Sequence, residues 1–107
     1  MKSETSKGHL DLLLLAALRD GPAHGYAVIS SLKRRSEGAF DLQEGTIYPA
    51  LHRLESSGMI GSEWSVENGR RRRVYSLTRD GRRVLEEKTS AWRSFSRAMT
   101  GALEPAT

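Results

Sequence analysis

The sequence predicts an α+β fold that is mostly helical, and two patterns support this prediction. Apolar residues recur at helical spacing in three segments before Gly58 and in a fourth segment beyond Thr78. Between these segments, apolar and polar residues alternate around an Asn-Gly pair, as in a two-stranded ribbon. A chain of 107 residues has room for one modest core. We therefore expect one small domain at residues 1–78, followed by a long helix and a short tail at residues 79–107.

The amino-acid composition excludes several classes of protein and of functional site. Seventeen Lys and Arg residues oppose thirteen Asp and Glu residues, and the formal net charge of +4 favours an acidic partner. The absence of cysteine excludes disulfides, thiolate metal sites and cysteine nucleophiles. The apolar run at residues 10–18 is too short to span a membrane and does not resemble a signal peptide. We therefore expect a cytoplasmic protein with no membrane partner.

The first two helices are expected to build most of the core. The first contains the apolar run at residues 10–18 and ends at Asp-Gly-Pro, residues 20–22. The second extends from about residue 24 to residue 35. Tyr26 and Tyr75 are predicted to be core residues whose hydroxyl groups find hydrogen-bond partners.

The third helix is expected at residues 44–57, before Gly58, with two faces of different character. Helical spacing gathers an apolar face from Ile47, Ala50, Leu51 and Leu54. The opposite face consists of Gly45, Pro49, His52, Arg53 and Ser56. Because Pro49 has no N–H to donate, it should lie near the N-terminal end of the helix. Near its start this outer face carries few bulky side chains, so it can approach another surface closely.

The Asn-Gly pair at residues 68–69 predicts the turn of a β-hairpin, because both central positions of a type I′ turn need positive φ. With this loop the register pairs Trp64 with Arg73, Ser62 with Tyr75, and Ile60 with Leu77. Alternation then places Ile60, Trp64, Val66, Tyr75 and Leu77 on one face of the ribbon. Trp64 is expected to pack at the base of the ribbon with Arg73 stacked on it. Four arginines, Arg70 to Arg73, should project near the tip.

The last helix should begin after Thr78, a good N-cap, with Asp80 in its first turn. A helix of some 25 residues would reach roughly 37 Å, longer than the body that it leaves. Its far half cannot be covered by its own domain, so a second copy of the chain is the simplest cover. The predicted dimer interface and possible effector site consist of Leu85, Lys88, Trp92, Phe95, Met99 and Leu103.

The order of three helices, a ribbon and a long helix is that of a winged helix-turn-helix protein. In such folds the third helix enters the major groove of duplex DNA, and the ribbon, or wing, contacts the adjacent backbone. Thr46 is open to two interpretations, a local helix cap or a phosphate contact. The predicted DNA-binding residues are Thr46, Tyr48, Pro49, His52, Arg53, Arg70, Arg71, Arg72 and Arg73.

Several motifs closely resemble the PadR-like transcriptional regulators, over about residues 9–99. They are His-Gly-Tyr at 24–26, Gly-Thr-Ile-Tyr-Pro-Ala-Leu-His-Arg-Leu-Glu at 45–55, Gly-Met-Ile at 58–60, Arg-Arg-Arg-Val-Tyr-Ser-Leu-Thr at 71–78, and Gly81. The length of the chain resembles the short subfamily, which dimerises through one C-terminal helix.

The resemblance implies a homodimeric repressor that binds a palindromic operator at its own promoter and at a neighbouring transport or detoxification gene. A repressor of this kind is expected to require no cofactor. Trp92 occupies the position that lines a pore for flat aromatic compounds in some short members. A small aromatic effector is therefore expected, with a divalent metal ion as the alternative.

Alternatives remain at this point. Trp92 and Phe95 could form the dimer core, a ligand platform, or both. His9, His24 and His52 do not have metal-ligand spacing, which argues against a metal site within one chain. A protein-interaction module whose basic wing binds an acidic partner would fit the same pattern. An enzyme would not, because the sequence lacks a nucleophile–base pair, a phosphate loop and a carboxylate dyad.

Overall fold

Four helices and a three-stranded antiparallel sheet make up the part of the chain that the structure describes. The structure is a computed structural model that describes residues 3–106, with side chains described from His9 onward. The elements are α1 Ser3–Ala17, β1 Ala23–His24, α2 Gly25–Arg35, α3 Glu44–Ser56, β2 Ile60–Glu67, β3 Arg70–Leu77 and α4 Arg79–Leu103. The strand order is β1-β3-β2. This architecture confirms the predicted α+β, mostly helical class.

The core lies where α1, α2 and α3 meet. Leu14 and Leu15 of α1 are fully buried, as are Val28 of α2 and Leu51 of α3. The sheet and the last helix close this core with Ile60, Tyr75 and Leu85. Apolar periodicity along α3 therefore predicted its packed face, Ile47, Ala50, Leu51 and Leu54, because burial of a contiguous stripe is the main stabilising term for a short helix.

The second helix begins one residue later than predicted, and the reason is a strand that the sequence did not reveal. His24 pairs with Val74 in β1, and its Nδ1 accepts a hydrogen bond from the Ala27 N–H at 3.1 Å. His24 is thus the N-cap of α2. A strand of only two residues is too short to produce an alternating pattern.

The predicted burial of Tyr75 is confirmed, since the residue is only 5% exposed, but the predicted burial of Tyr26 is wrong. Tyr26 is 62% exposed. The buried side of α2 is formed by Gly25, Val28 and Leu32, which repeat at three and four residues. Tyr26 lies about 100° around the helix from Gly25, outside that stripe.

The hairpin has the predicted turn and register. Asn68 and Gly69 have φ angles of 51° and 75°, as a type I′ turn requires. Trp64 pairs with Arg73 across the two strands. The predicted packing of Trp64 at the ribbon base is wrong, because the side chain is 56% exposed. The ribbon leaves the body before it reaches this residue.

The last helix is joined tightly to the turn that follows α3. The Thr78 hydroxyl accepts a hydrogen bond from the Gly81 N–H at 3.0 Å and donates to the Gly58 carbonyl at 2.6 Å. A Cβ on Gly81 would lie 1.9 Å from the Met59 carbonyl oxygen, so only glycine allows this close approach.

Beyond this junction α4 leaves the body. Its 25 residues span roughly 37 Å, and the molecule is accordingly 61 Å long but only 28 by 24 Å across. The prediction that Leu85 belongs to a dimer interface is wrong, because Leu85 is 3% exposed and packs in the core of its own chain. The other predicted interface residues, Lys88, Trp92, Phe95, Met99 and Leu103, are exposed.

Candidate nucleic-acid interface

The predicted groove-contacting residues share one open face of α3. Ile47 and Leu51 point into the core and are fully buried, whereas Tyr48, His52 and Arg53 are exposed. Pro49 and Thr46 are exposed on the same side. The division of α3 into a core face and a free face is therefore the predicted one.

Thr46 does not cap its helix. The N-cap of α3 is Gln43, and no side chain forms a capping hydrogen bond there among the described residues. Thr46 lies inside the first turn, where its N–H bonds to the Gln43 carbonyl at 3.0 Å. The capping interpretation is therefore wrong, and the phosphate contact stays a prediction.

The Tyr48 side chain is partly packed against the protein and partly exposed. Its side chain is 38% exposed, yet a Cβ on Gly25 would lie 2.6 Å from the ring and the hydroxyl oxygen. The phenol therefore lies flush against the start of α2, which fixes its direction. A side chain at position 25 would displace the Tyr48 ring from this position.

Arg53 is held by an acidic residue of the first helix. Its Nη2 lies 2.5 Å from Oδ1 of Asp11, and the arginine side chain remains 49% exposed. A guanidinium has five N–H donors, so this ion pair orients the group and leaves donors for another anion. Sequence reasoning missed Asp11, although a lone acid within the apolar run was the available signal.

The four wing arginines are not equivalent. Arg70 and Arg71 are exposed, whereas Arg72 and Arg73 are half-buried. Arg72 places Nη1 2.9 Å from Nε2 of His24. The first two are therefore free to meet an outside anion, whereas the second two are engaged with the protein.

Arg73 is tied to the third helix. Its Nε donates to the Ser62 hydroxyl at 2.8 Å, and that hydroxyl donates to Oε2 of Glu55 at 2.5 Å. Nη2 of Arg73 also lies 3.7 Å from the same carboxylate oxygen. This network links the end of α3 to the sheet, and sequence reasoning identified neither Glu55 nor Ser62 as part of it.

Trp64 lies beneath two of the arginines. The guanidinium carbon of Arg73 is 5.2 Å from the ring centroid, which confirms the predicted stacking. Arg71 was not predicted there but lies closer, at 4.6 Å. Both distances are within the range at which a cation is attracted to an aromatic face.

The surroundings of Tyr75 at the base of the wing favour the neutral form of its hydroxyl group. Burial raises the pKa of the Tyr75 hydroxyl, and the nearby Glu55 and Tyr48 raise it further, while Arg73 acts in the opposite direction. A buried phenol is disfavoured as an anion because the protein interior solvates charge poorly.

The exposed stripe of α4 meets α1 at one point. Trp92 is 44% exposed, and His9 lies edge-on to it with ring centroids 5.5 Å apart. Leu13 and Phe40 join them around an open groove of about 440 Å³. Phe95, Met99 and Leu103 extend beyond the groove and stay exposed.

No helix in the described part of the chain has both the length and the apolar character needed to cross a membrane. Among the side chains that the structure describes, no three His, Asp or Glu residues lie close enough together to hold a metal ion.

Comparison with known proteins identifies the family. Residues 14–87 match the sequence model of the transcriptional regulator PadR-like family. The chain belongs to the PadR-like family. It is therefore a DNA-binding transcriptional regulator and not an enzyme, as the sequence predicted.

Individual transcriptional regulators are similar to this chain in sequence or in fold, and two of the three described next are also similar in length. A transcriptional regulator of Mycobacterium tuberculosis is 36% identical over 98 residues, which are 92% of this chain and 89% of the relative. A PadR family regulator from Clostridium difficile superimposes with a TM-score of 0.78 at 35% identity, covering 90% of this chain and 99% of that one. PadR of Bacillus subtilis, solved in complex with operator DNA, gives a TM-score of 0.68 at 26% identity, covering 74% of this chain and 45% of that one.

Proposed function

We propose that this PadR-like regulator is a homodimeric repressor whose two subunits grip the two halves of a palindromic operator. The observation that carries the proposal is the pairing, on one chain, of a free α3 face with an arginine-bearing wing. In winged helix-turn-helix proteins these two elements contact the major groove and the adjacent backbone. The operator complex of the Bacillus subtilis relative supports the same use here.

The division of labour follows from the side chains. Tyr48, His52 and Arg53 stand on the exposed face of α3 and are proposed to contact bases. Thr46 and Pro49 lie on the same face near its N-terminal end and would come close to the duplex. Arg70 and Arg71 are proposed to contact phosphates, which positions the protein without reading sequence.

Dimerisation is supported by the uncovered stripe on α4. Trp92, Phe95 and Met99 expose between 44% and 57% of their side chains, and Leu103 exposes 73%. A contiguous apolar stripe of this kind marks a surface that another molecule covers. A second copy of the same helix would place two reading heads at a fixed separation, about one helical turn of DNA or a multiple of it.

A small aromatic effector is proposed to bind near Trp92 and to change the angle between the two reading heads. The groove formed by Trp92 with His9, Leu13 and Phe40 supports this, because flat apolar compounds pack well against aromatic side chains. Replacing Trp92 with Ala should abolish the response to planar aromatic compounds. A normal response in that variant would refute the effector proposal alone.

Footprinting on the chain's own upstream promoter tests the core of the proposal. We expect protection of two symmetric half-sites, and the promoter of a neighbouring transport or detoxification gene is the second target to examine. A scrambled duplex of the same length is the control. Equal, salt-sensitive affinity for both duplexes would show a basic interaction module rather than an operator-reading protein.

A further inference from the structure

We propose that Trp64 is a positioning residue for DNA binding, which aims the Arg71 guanidinium at the phosphate backbone by holding it against the indole. This inference rests on the proposed contact between the wing and DNA. It adds a residue that carries no charge and lies outside the predicted DNA-binding set.

The exposure of Trp64 is the first observation. An indole that is 56% exposed contributes little to the core, and on a projecting ribbon it costs apolar area left in water. Val66, the next residue on the same face, is 68% exposed and lies directly opposite Arg71. Of these two exposed apolar side chains, the one that the Arg71 guanidinium stacks on is Trp64.

The geometry of the stack is the second observation. The Arg71 guanidinium carbon lies 4.6 Å from the Trp64 ring centroid. An exposed arginine normally samples many rotamers, and ordering it at an interface costs free energy. A guanidinium already held flat on an indole loses less freedom on meeting a phosphate, and its edge N–H groups stay open to the anion.

The platform itself is fixed relative to the reading helix. Arg73 lies 5.2 Å from the same ring and donates to Ser62, whose hydroxyl donates to Glu55 at the end of α3. Movement of the indole would disturb this chain of contacts. Trp64 therefore places Arg71 at a defined distance from the α3 face that is proposed to lie in the groove.

The experiment measures operator affinity at several salt concentrations for W64A, R71A, the double variant W64A/R71A and the control V66A. Loss of the stack should weaken binding by about two- to five-fold in W64A, the size expected for an exposed cation–π contact. W64F should retain most of the affinity because it keeps an aromatic face. V66A should bind like the wild type because valine has no such face.

The decisive measurement is the coupling between Trp64 and Arg71 in operator binding. R71A should lower the log–log salt slope by about 0.9, as loss of one phosphate contact predicts, and W64A should then add no further loss in the R71A background. Additive losses would show that Trp64 touches DNA by itself, and wild-type affinity in W64A would show that it does nothing; either result overturns the inference.

The proposed function fails in a different way. If R71A binds the operator with wild-type affinity and salt slope, the wing contact itself is absent, and the inference falls with it. Thermal unfolding of each variant provides the folding control, and W64A should melt close to the wild type because its side chain is mostly exposed.

Discussion

At the scale of single residues, the side chains that are proposed to contact DNA lie against partners that orient them. Tyr48 lies on Gly25, Arg53 is paired with Asp11, and Arg71 is stacked on Trp64. Preorganised side chains lose less conformational freedom on binding, so such contacts raise affinity without touching the ligand. Each of these three partners comes from a different element of the fold.

Tyr75 should give the protein a component of alkaline sensitivity. Burial raises its pKa in the folded state above the ordinary value of 10.0, so the unfolded chain loses this proton first as the pH rises. The stability it contributes is complete below about pH 10 and is lost as the pH rises from there through the folded pKa.

The measurement is urea unfolding of wild type and Tyr75→Phe between neutral pH and pH values above 10. We expect the difference in unfolding free energy between the two proteins to change in favour of the variant at the alkaline end. A constant difference across the whole range would contradict the direction of the shift.

Gly81 should tolerate no side chain. In Gly81→Ala the new Cβ would meet the Met59 carbonyl oxygen at 1.9 Å, which forces the α4 junction apart. We expect a loss of about 1–3 kcal/mol in the free energy of unfolding, the usual cost of overpacking. Chemical denaturation measures it.

Gly101 provides the matched control, since it lies on the same helix and a methyl group added there would have no neighbouring atom within 4 Å. Gly101→Ala should be neutral or stabilising by up to about 1 kcal/mol, because alanine favours helix more than glycine does. Equal destabilisation by both substitutions would show that the loss does not arise from the close approach at the junction, because helix propensity alone favours alanine over glycine.

At the scale of elements, local periodicity explains which predictions succeeded. The two faces of α3 and the register of the hairpin follow from repeats of 3.6 and 2 residues, which are properties of the chain itself. The N-cap at Thr78 is likewise encoded within a few residues.

Several errors have a different cause, because they depended on elements distant in sequence. Trp64 was expected in the body because its spacing is right, but the ribbon leaves the body before reaching it. Leu85 belongs to the stripe of α4, but the core reaches that far along the helix. The pairing of Arg53 with Asp11 spans 42 positions, and no local pattern reports it.

Two substitutions in the wing test whether its exposed and half-buried arginines differ in their contribution to DNA binding. Arg70→Ala should weaken operator binding and lower the log–log salt slope by about 0.9. Arg70 is exposed, and loss of its guanidinium would leave one phosphate without a cationic partner. Arg72→Ala should leave the slope near its wild-type value, because Arg72 lies against His24.

Mobility-shift titrations at several salt concentrations compare the two variants, which remove the same charge two positions apart on the same strand. An equal drop in slope for both would show that the half-buried arginine turns outward to meet DNA. In that case the four arginines act as one cluster of charge.

At the scale of the whole molecule, the distribution of apolar surface bears on the proposed dimer. The core is confined to the body, while α4 carries Phe95, Met99 and Leu103 away from it. Met99→Glu places a charge in the centre of that stripe and should dissociate the proposed dimer, because burying an unpaired carboxylate is costly.

Light scattering coupled to size exclusion gives the mass of each variant. Ser94→Glu, which adds the same charge on the opposite side of the helix, should leave the mass unchanged. Operator affinity should fall in Met99→Glu, since each half-site would then bind its subunit separately. A Met99→Glu protein that keeps the mass of two chains would remove α4 as the interface.

The junction at Thr78 has a mechanical consequence for the proposed dimer. Thr78 bonds to the carbonyls of Gly58 and Met59, and Gly81 leaves no gap against Met59, so α4 and the end of α3 have no hinge between them. We therefore expect a tilt of α4 to carry α3, the proposed recognition helix, with it. A few degrees at the crossing of two such helices would be enough to spoil the fit of both heads to successive turns of a duplex.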